Sequence, residues 1–174
     1  RDMFIFCCFT GLAYIDLKNL TYDHIVTTPT GEQYIYNRRQ KTGTPYHIML
    51  LPIAQELIER YRGYPGKIDE TRVFPVKSRK SMCTTIKRIA KSAVLPTHIG
   101  RHTFGTTVTL EKGVPIETVS EMLGHKQITT TQIYAKLTAN KMKEDVRLLT
   151  QRIGNLYELT QPTTRLLSKE LNPK

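Results

Sequence analysis

One stretch of this chain, residues 22–50, has the texture of a β-sheet, and the patterned sequence on either side of it is helical. Within it lie three runs rich in Tyr, Ile and Val, at 22–26, 32–36 and 46–50. They are separated by Pro29-Thr30-Gly31 and by Thr42-Gly43-Thr44-Pro45. Both separators are turn chemistry, so the runs are expected to form a small antiparallel sheet of three strands. The expected class is therefore α+β, mainly α.

The helical signals surround that sheet. Residues 2–9 are nearly all apolar and read as a buried helix punctuated by Gly11; a short helical piece carries Asp16, Leu17 and Leu20. Apolar residues at 53, 54, 57, 58 and 61 mark a one-faced helix, and 63–76, with Pro65, Gly66 and Pro75, is a loop. A basic amphipathic helix is expected over 82–94. Thr97 is placed as the cap of a helix ending near Lys112, with Gly113 as its stop. That helix holds Gly100, Gly105 and several Thr, a poor composition for an isolated helix. It is expected to form because it is packed, with a backbone or ligand approaching closely at the glycines. Pro115 and Gly124 bracket the next helix; a short one begins at Thr129, and 140–153 is charged and amphipathic. The expected division is a domain over 1–153 and a tail over 154–174, whose Leu156, Leu159, Leu166 and Leu167 suit docking on a neighbouring protomer.

At 174 residues the length suits one domain. No apolar run approaches the roughly 18 residues of a membrane-spanning helix. The chain begins Arg1-Asp2, without an initiator Met or a signal-peptide layout, and reads as part of a longer protein. Its three cysteines (Cys7, Cys8 and Cys83) form no CxxC, which suits free thiols in a reducing cytoplasm. The louder signal is 26 Lys and Arg against 15 Asp and Glu, a net charge of +11. Such a surplus points to a polyanion, nucleic acid ahead of a membrane surface.

The chemistry-bearing residues gather between 97 and 134. His98, Arg101 and His102 stand at spacings of 3 and 4 on one helix; His125 follows Leu123-Gly124, and Tyr134 lies nine residues on. A zinc pair is disfavoured, because HIGRH lacks the Glu of HExxH and an adjacent Arg repels a cation. A core role is the ordinary reading of any single His, but it weakens when two His, an Arg and a Tyr converge. Such a group fits phosphoryl transfer. Arg offers a permanently charged planar fork to phosphate oxygens, cations help a phenol lose its proton, and Lys is a suitable acid for a leaving oxygen. No acidic metal-binding cluster is visible, which favours metal-independent transesterification over a two-metal nuclease.

These residues carry a resemblance. THIGRHTFGTT resembles the HxxRH box of the tyrosine recombinases, the phage-integrase type family. LGHKQITTTQIYAK resembles its LGH box and nucleophilic Tyr, RRQKTGTPYHIMLLP its β-hairpin with the catalytic Lys, and TGLAYIDL its first box. The four stand in the family's order over roughly residues 1–150.

The resemblance implies the fold of the DNA breaking-rejoining enzymes and a site-specific recombinase or integrase acting through a 3′-phosphotyrosyl intermediate without metal, ATP or other cofactor. Tyr134 is then the nucleophile, Arg101 a phosphate clamp and Lys41 the acid for the 5′ oxygen. His98 and His125 donate hydrogen bonds to the phosphate, with His98 also the candidate proton acceptor. His102 and Asp16 support the site. The implied partner is double-stranded DNA, with a homotetramer on DNA, a monomer as the isolated fragment, and a bacterial cytoplasmic, nucleoid-associated location. The family's N-terminal DNA-clamping domain is absent from this chain, so weak binding alone is expected.

The first box departs from the family's TGLR, with Ala13 at the Arg position. In this it is similar to a branch of mobile-element (conjugative transposon) integrases of Bacteroidetes. Arg39, two residues from Lys41 and expected on its strand face, is the candidate substitute; the competing reading is a solvated or DNA-backbone Arg. Lys77, Arg79, Lys80, Lys87, Arg88 and Lys91 are candidate DNA contacts, against the plainer reading of a solvated face. A non-catalytic DNA-binding module of the same fold and a type IB topoisomerase are the alternatives.

Overall fold

The computed structural model describes residues 1–67, 69–90, 98–135 and 139–153. The expected Thr97 cap, Lys91 and the tail 154–174 lie outside the described residues. The chain divides into two compact units, residues 1–136 and 137–174. Among the described residues no helix is long and apolar enough to cross a membrane.

The first unit opens with α1 (Asp2–Thr10), apolar all round, and its Phe6 and Cys7 are buried. Phe6 meets Phe74 edge-on with centroids 4.7 Å apart; truncating so buried a ring costs about 3–5 kcal/mol. Gly11 closes α1, and α2 (Tyr14–Lys18) buries Asp16 and Leu17.

The expected sheet is present, in the order β1-β2-β3: β1 (Ile25–Thr27), β2 (Gln33–Arg38) and β3 (Pro45–Met49), antiparallel throughout. Residues 22–24, expected as strand, form a short 3-10 turn instead, closed by a Thr21–His24 capping box. Alternation sets the sheet's faces: Ile35, Tyr46 and Ile48 point into the core, while Tyr36, His47 and Met49 point out. The turn after β2 is tight, with the Arg39 N–H donating to Thr44 O and the Gly43 N–H to Arg39 O. It carries Lys41 at its exposed tip.

Next come α3 (Pro52–Arg60), begun by a proline and burying Ala54, Leu57 and Ile58, and α4 (Arg79–Ala90), whose Ile86 is buried. The helix expected up to Lys112 is not uniform: α5 (Ile99–Thr103) widens into a π-helical stretch, Phe104–Thr109, and tightens to a 3-10 turn, Leu110–Lys112. α6 (Ile116–Leu123) is begun by Pro115 and closed by Gly124 in the left-handed conformation, φ 60°. The short α7 (Thr129–Gln132) leads to Tyr134. α1 packs on α5 so closely that a Cβ on Gly100 would lie 2.9 Å from Cys7 Cβ; α6 lies against β3. The three cysteines are free; Cys7 is buried, and Cys8 and Cys83 are half-buried.

The second unit contributes α8 (Ala139–Ile153), on which Met142, Val146, Leu149 and Ile153 are exposed at one-face spacing.

Candidate active site

The site is organised around the C-terminal end of α6, where backbone carbonyls have no partner within the helix. The Leu123 carbonyl accepts from two guanidiniums, Arg39 Nε at 2.8 Å and Arg101 Nη2 at 2.6 Å. A helix C-terminus carries partial negative charge, so two cations are favourable there. Gly124 makes the arrangement possible. Its left-handed backbone suits glycine, and a Cβ there would lie 3.1 Å from Arg39 Cγ, Arg39 Nε and Tyr46 Cβ.

Arg101 is positioned from α5 by the backbone. Its Nη1 donates to Gly11 O at 2.7 Å, and its Nη2 also meets His125 Nε2 at 2.9 Å. Burial, and then the charge of Arg39, pull its pKa down to about 10, against the opposing influence of the Tyr134 hydroxyl and Asp16. It stays cationic at neutral pH.

Arg39 is 6% exposed. Its Nη1 donates to Asp16 Oδ2 at 2.7 Å, while Asp16 Oδ1 accepts from the Gln40 N–H at 3.0 Å. The guanidinium lies over the Tyr46 ring, 4.3 Å from its centroid. Its Nη2 is buried and has no hydrogen-bond partner among the described residues. The expectation that Arg39 and Lys41 share a strand face is overturned: β2 ends at Arg38, and the turn sends Arg39 into the core and Lys41 to the exposed tip. The solvated-Arg reading falls with it.

His125 follows Gly124. An Arg nitrogen only donates, so His125 Nε2 accepts from Arg101 and the ring hydrogen sits on Nδ1, 2.8 Å from Thr131 Oγ1. Burial first, then Arg101 and Arg39, lower its pKa to about 4, so the ring is neutral at pH 7. Thr131, fully buried, is a member of the site that sequence reading missed. Its one signal is the spacing of six residues from His125.

Tyr134 completes the cluster. Its ring stands edge-on to His102, centroids 5.1 Å apart at 85°, and near-parallel to His125 at 6.2 Å. Arg39, Arg101, Asp16, His125, His102 and Tyr134 are thus brought together. Lys41 stays apart at the exposed tip of the turn, and His98 is exposed at the start of α5, where its carbonyl accepts from the His102 N–H at 2.9 Å. Lys77, Arg79, Lys80, Lys87 and Arg88 are all exposed on α4 or just before it. Lys80 and Arg88 line one open groove with Ser78, Ser81, Thr84 and Thr85. Among the described residues no group of three or more His, Cys, Asp or Glu is placed to hold a metal.

Two guanidiniums beside a neutral imidazole and an oriented phenol are equipped to hold a phosphate-like anion next to a nucleophile. Compared with known proteins, the chain matches the Phage integrase family over residues 1–141, and it belongs to that family. Tyrosine recombinase XerA of Pyrococcus furiosus is 33% identical over 161 residues, covering 83% of this chain and 54% of that protein. This chain therefore spans about half the length of that relative. The catalytic domain of bacteriophage HP1 integrase has the same fold, with a TM-score of 0.60 at 19% identity over 87% of this chain and 82% of that one. So does the Tn1549 transposon integrase solved in complex with a circular intermediate DNA, with a TM-score of 0.58 at 21% identity over 84% and 57%.

Proposed function

We propose that this chain is the catalytic domain of a site-specific recombinase or integrase that breaks and rejoins double-stranded DNA. The observation that carries the reading is the convergence of Arg39, Arg101 and His125 beside Tyr134 at the end of α6. The DNA-bound integrase of the same fold supports the choice of partner.

In this reading Tyr134 Oη attacks the scissile phosphorus. The bond to the 5′ oxygen breaks, a 3′-phosphotyrosyl ester forms, and the phenol proton passes to a base, with His98 the candidate. Lys41 supplies the proton that the 5′ oxygen takes up. Attack by a 5′ hydroxyl reverses the step, so the ester retains the bond energy; the reading assigns no ATP, metal or other cofactor. Arg101 and Arg39 hold the non-bridging oxygens, where charge grows in the transition state. Arg39 takes the place left by Ala13, held beside Arg101 on the same carbonyl at the end of α6. Burial, and then the charges of Arg101 and Arg39, keep His125 neutral; a bound phosphate offsets those two charges and favours a protonated ring that donates. His102 supports Tyr134 from its edge, and Asp16 holds Arg39. Lys77, Arg79, Lys80, Lys87, Arg88 and Lys91 grip the backbone. A homotetramer on DNA, membership of the Bacteroidetes mobile-element branch and a cytoplasmic, nucleoid-associated setting belong to the same proposal.

The test uses a duplex selected from a random pool by binding to the wild-type chain and nicked within the selected site, so that cleavage traps the enzyme. A covalent adduct that disappears in Tyr134→Phe is expected. Binding without an adduct identifies a DNA-binding module instead. Relaxation of supercoils without strand exchange identifies a topoisomerase.

A further inference from the structure

We infer that Gly105, at the start of the π-helical stretch, is a positioning residue for Tyr134; the inference rests on the proposal that Tyr134 is the nucleophile. A glycine inside a helix costs about 1 kcal/mol relative to alanine, and a π-helical stretch is rare and occurs disproportionately at functional sites. Both features coincide here, opposite one side chain. The space that a Cβ on Gly105 would fill is taken by the Tyr134 ring: such an atom would lie 3.1 Å from Cγ and Cδ2 and 3.5 Å from Cδ1. The ring therefore rests on the bare Cα of Gly105, with His102 at its edge and His125 beyond its face.

The wide turn is held open from within. Thr109 is buried, and its hydroxyl lies 2.9 Å from Phe104 O and 3.0 Å from Gly105 O, across five and four residues. That hydroxyl fixes the carbonyl of the same residue whose Cα carries the ring. Gly105 and Thr109 form a seat, and the seat sets where the phenol oxygen stands relative to Arg101. In-line attack tolerates little error, because a displacement of about 1 Å can cost 100-fold in rate. A methyl group at 105 forces the ring away by a few tenths of an ångström; a larger side chain forces it further.

The experiment measures single-turnover cleavage of the selected nicked duplex by the wild-type chain and by Gly105→Ala and Gly105→Val, alongside DNA affinity and thermal midpoint. Expected are cleavage slower by about 10-fold for alanine and about 100-fold for valine, with DNA affinity within twofold. The alanine variant melts at or above the wild-type temperature, because alanine favours the helix; a merely structural role would instead lower stability and activity together. On a duplex with sulfur in place of the 5′-bridging oxygen, which leaves without a proton donor, the Gly105 defects persist whereas that of Lys41→Ala is relieved. Wild-type cleavage rates in both Gly105 variants would overturn the inference while leaving the function intact. No adduct from the wild-type chain would instead sink the nucleophile reading, and the inference with it.

Discussion

Arg39 and Arg101, 62 positions apart in the sequence, donate to one oxygen, the carbonyl of Leu123. Each has its own second anchor, Asp16 for Arg39 and Gly11 O for Arg101. Two like charges thus share a helix end, held together by a carboxylate and two backbone carbonyls.

Arg39→Lys retains a cation near Asp16 but loses the fork. Removing a preorganised donor of this kind costs about 100- to 1,000-fold in rate. Cleavage of the nicked duplex is expected to slow by at least that lower figure while DNA affinity changes only a few-fold. Near-normal cleavage would reject Arg39 as the stand-in for the Arg missing at 13.

Asp16→Ala leaves the Arg39 charge buried beside Arg101 with no carboxylate. Breaking a buried pair in this way costs about 3–5 kcal/mol. Denaturant titration should show a loss of that size; a loss below 1 kcal/mol would mean that Leu123 O and Tyr46 alone suffice to hold Arg39.

His125 makes stability depend on pH. Its folded pKa, about 4, lies below the ordinary value of 6.5, so between these values the unfolded chain binds more protons. The contribution is complete above pH 6.5 and is lost as pH falls towards 4. After discounting for partial exposure it amounts to about 2 kcal/mol. Unfolding free energies at pH 7.5 and 4.5 should therefore differ less in His125→Gln than in wild type.

Lys41→Ala should slow cleavage of the ordinary duplex by about 100- to 10,000-fold, the range for a lost general acid. Substituting sulfur at the 5′-bridging position should restore most of that loss. A defect of equal size on both duplexes would remove Lys41 from the role of acid.

Lys80→Gln and Arg88→Gln test the α4 groove. Each should lower the slope of log affinity against log salt by roughly 1, almost independently of DNA sequence. An unchanged slope would leave these residues as part of an ordinary solvated face.

The parts of the fold that were legible are those written in local chemistry. Pro29-Thr30-Gly31 and Thr42-Gly43-Thr44-Pro45 announce the sheet's turns, and Pro115 and Gly124 bracket α6. What escaped depends on geometry that local patterns do not encode. Strand alternation places Arg39 with Lys41, but β2 ends at Arg38, before either residue. The Leu123 carbonyl is backbone, invisible in any list of side chains, although a glycine closing a helix does announce exposed carbonyls. Thr131 is one of three consecutive threonines, and only the fold selects it. The glycines of the helix expected between Thr97 and Lys112 mark places of close approach; the structure supplies the two visitors, α1 at Gly100 and Tyr134 at Gly105.

Gly124 binds the fates of positions far apart in the chain. Any side chain there must contend both with a left-handed backbone and with Arg39 and Tyr46, 3.1 Å away. Drift at 124 is therefore not independent of drift at 39: among descendants of this sequence, a lost glycine should travel with a lost or relocated arginine. An alignment deep enough to show paired substitutions would register that coupling between two sites 85 positions apart.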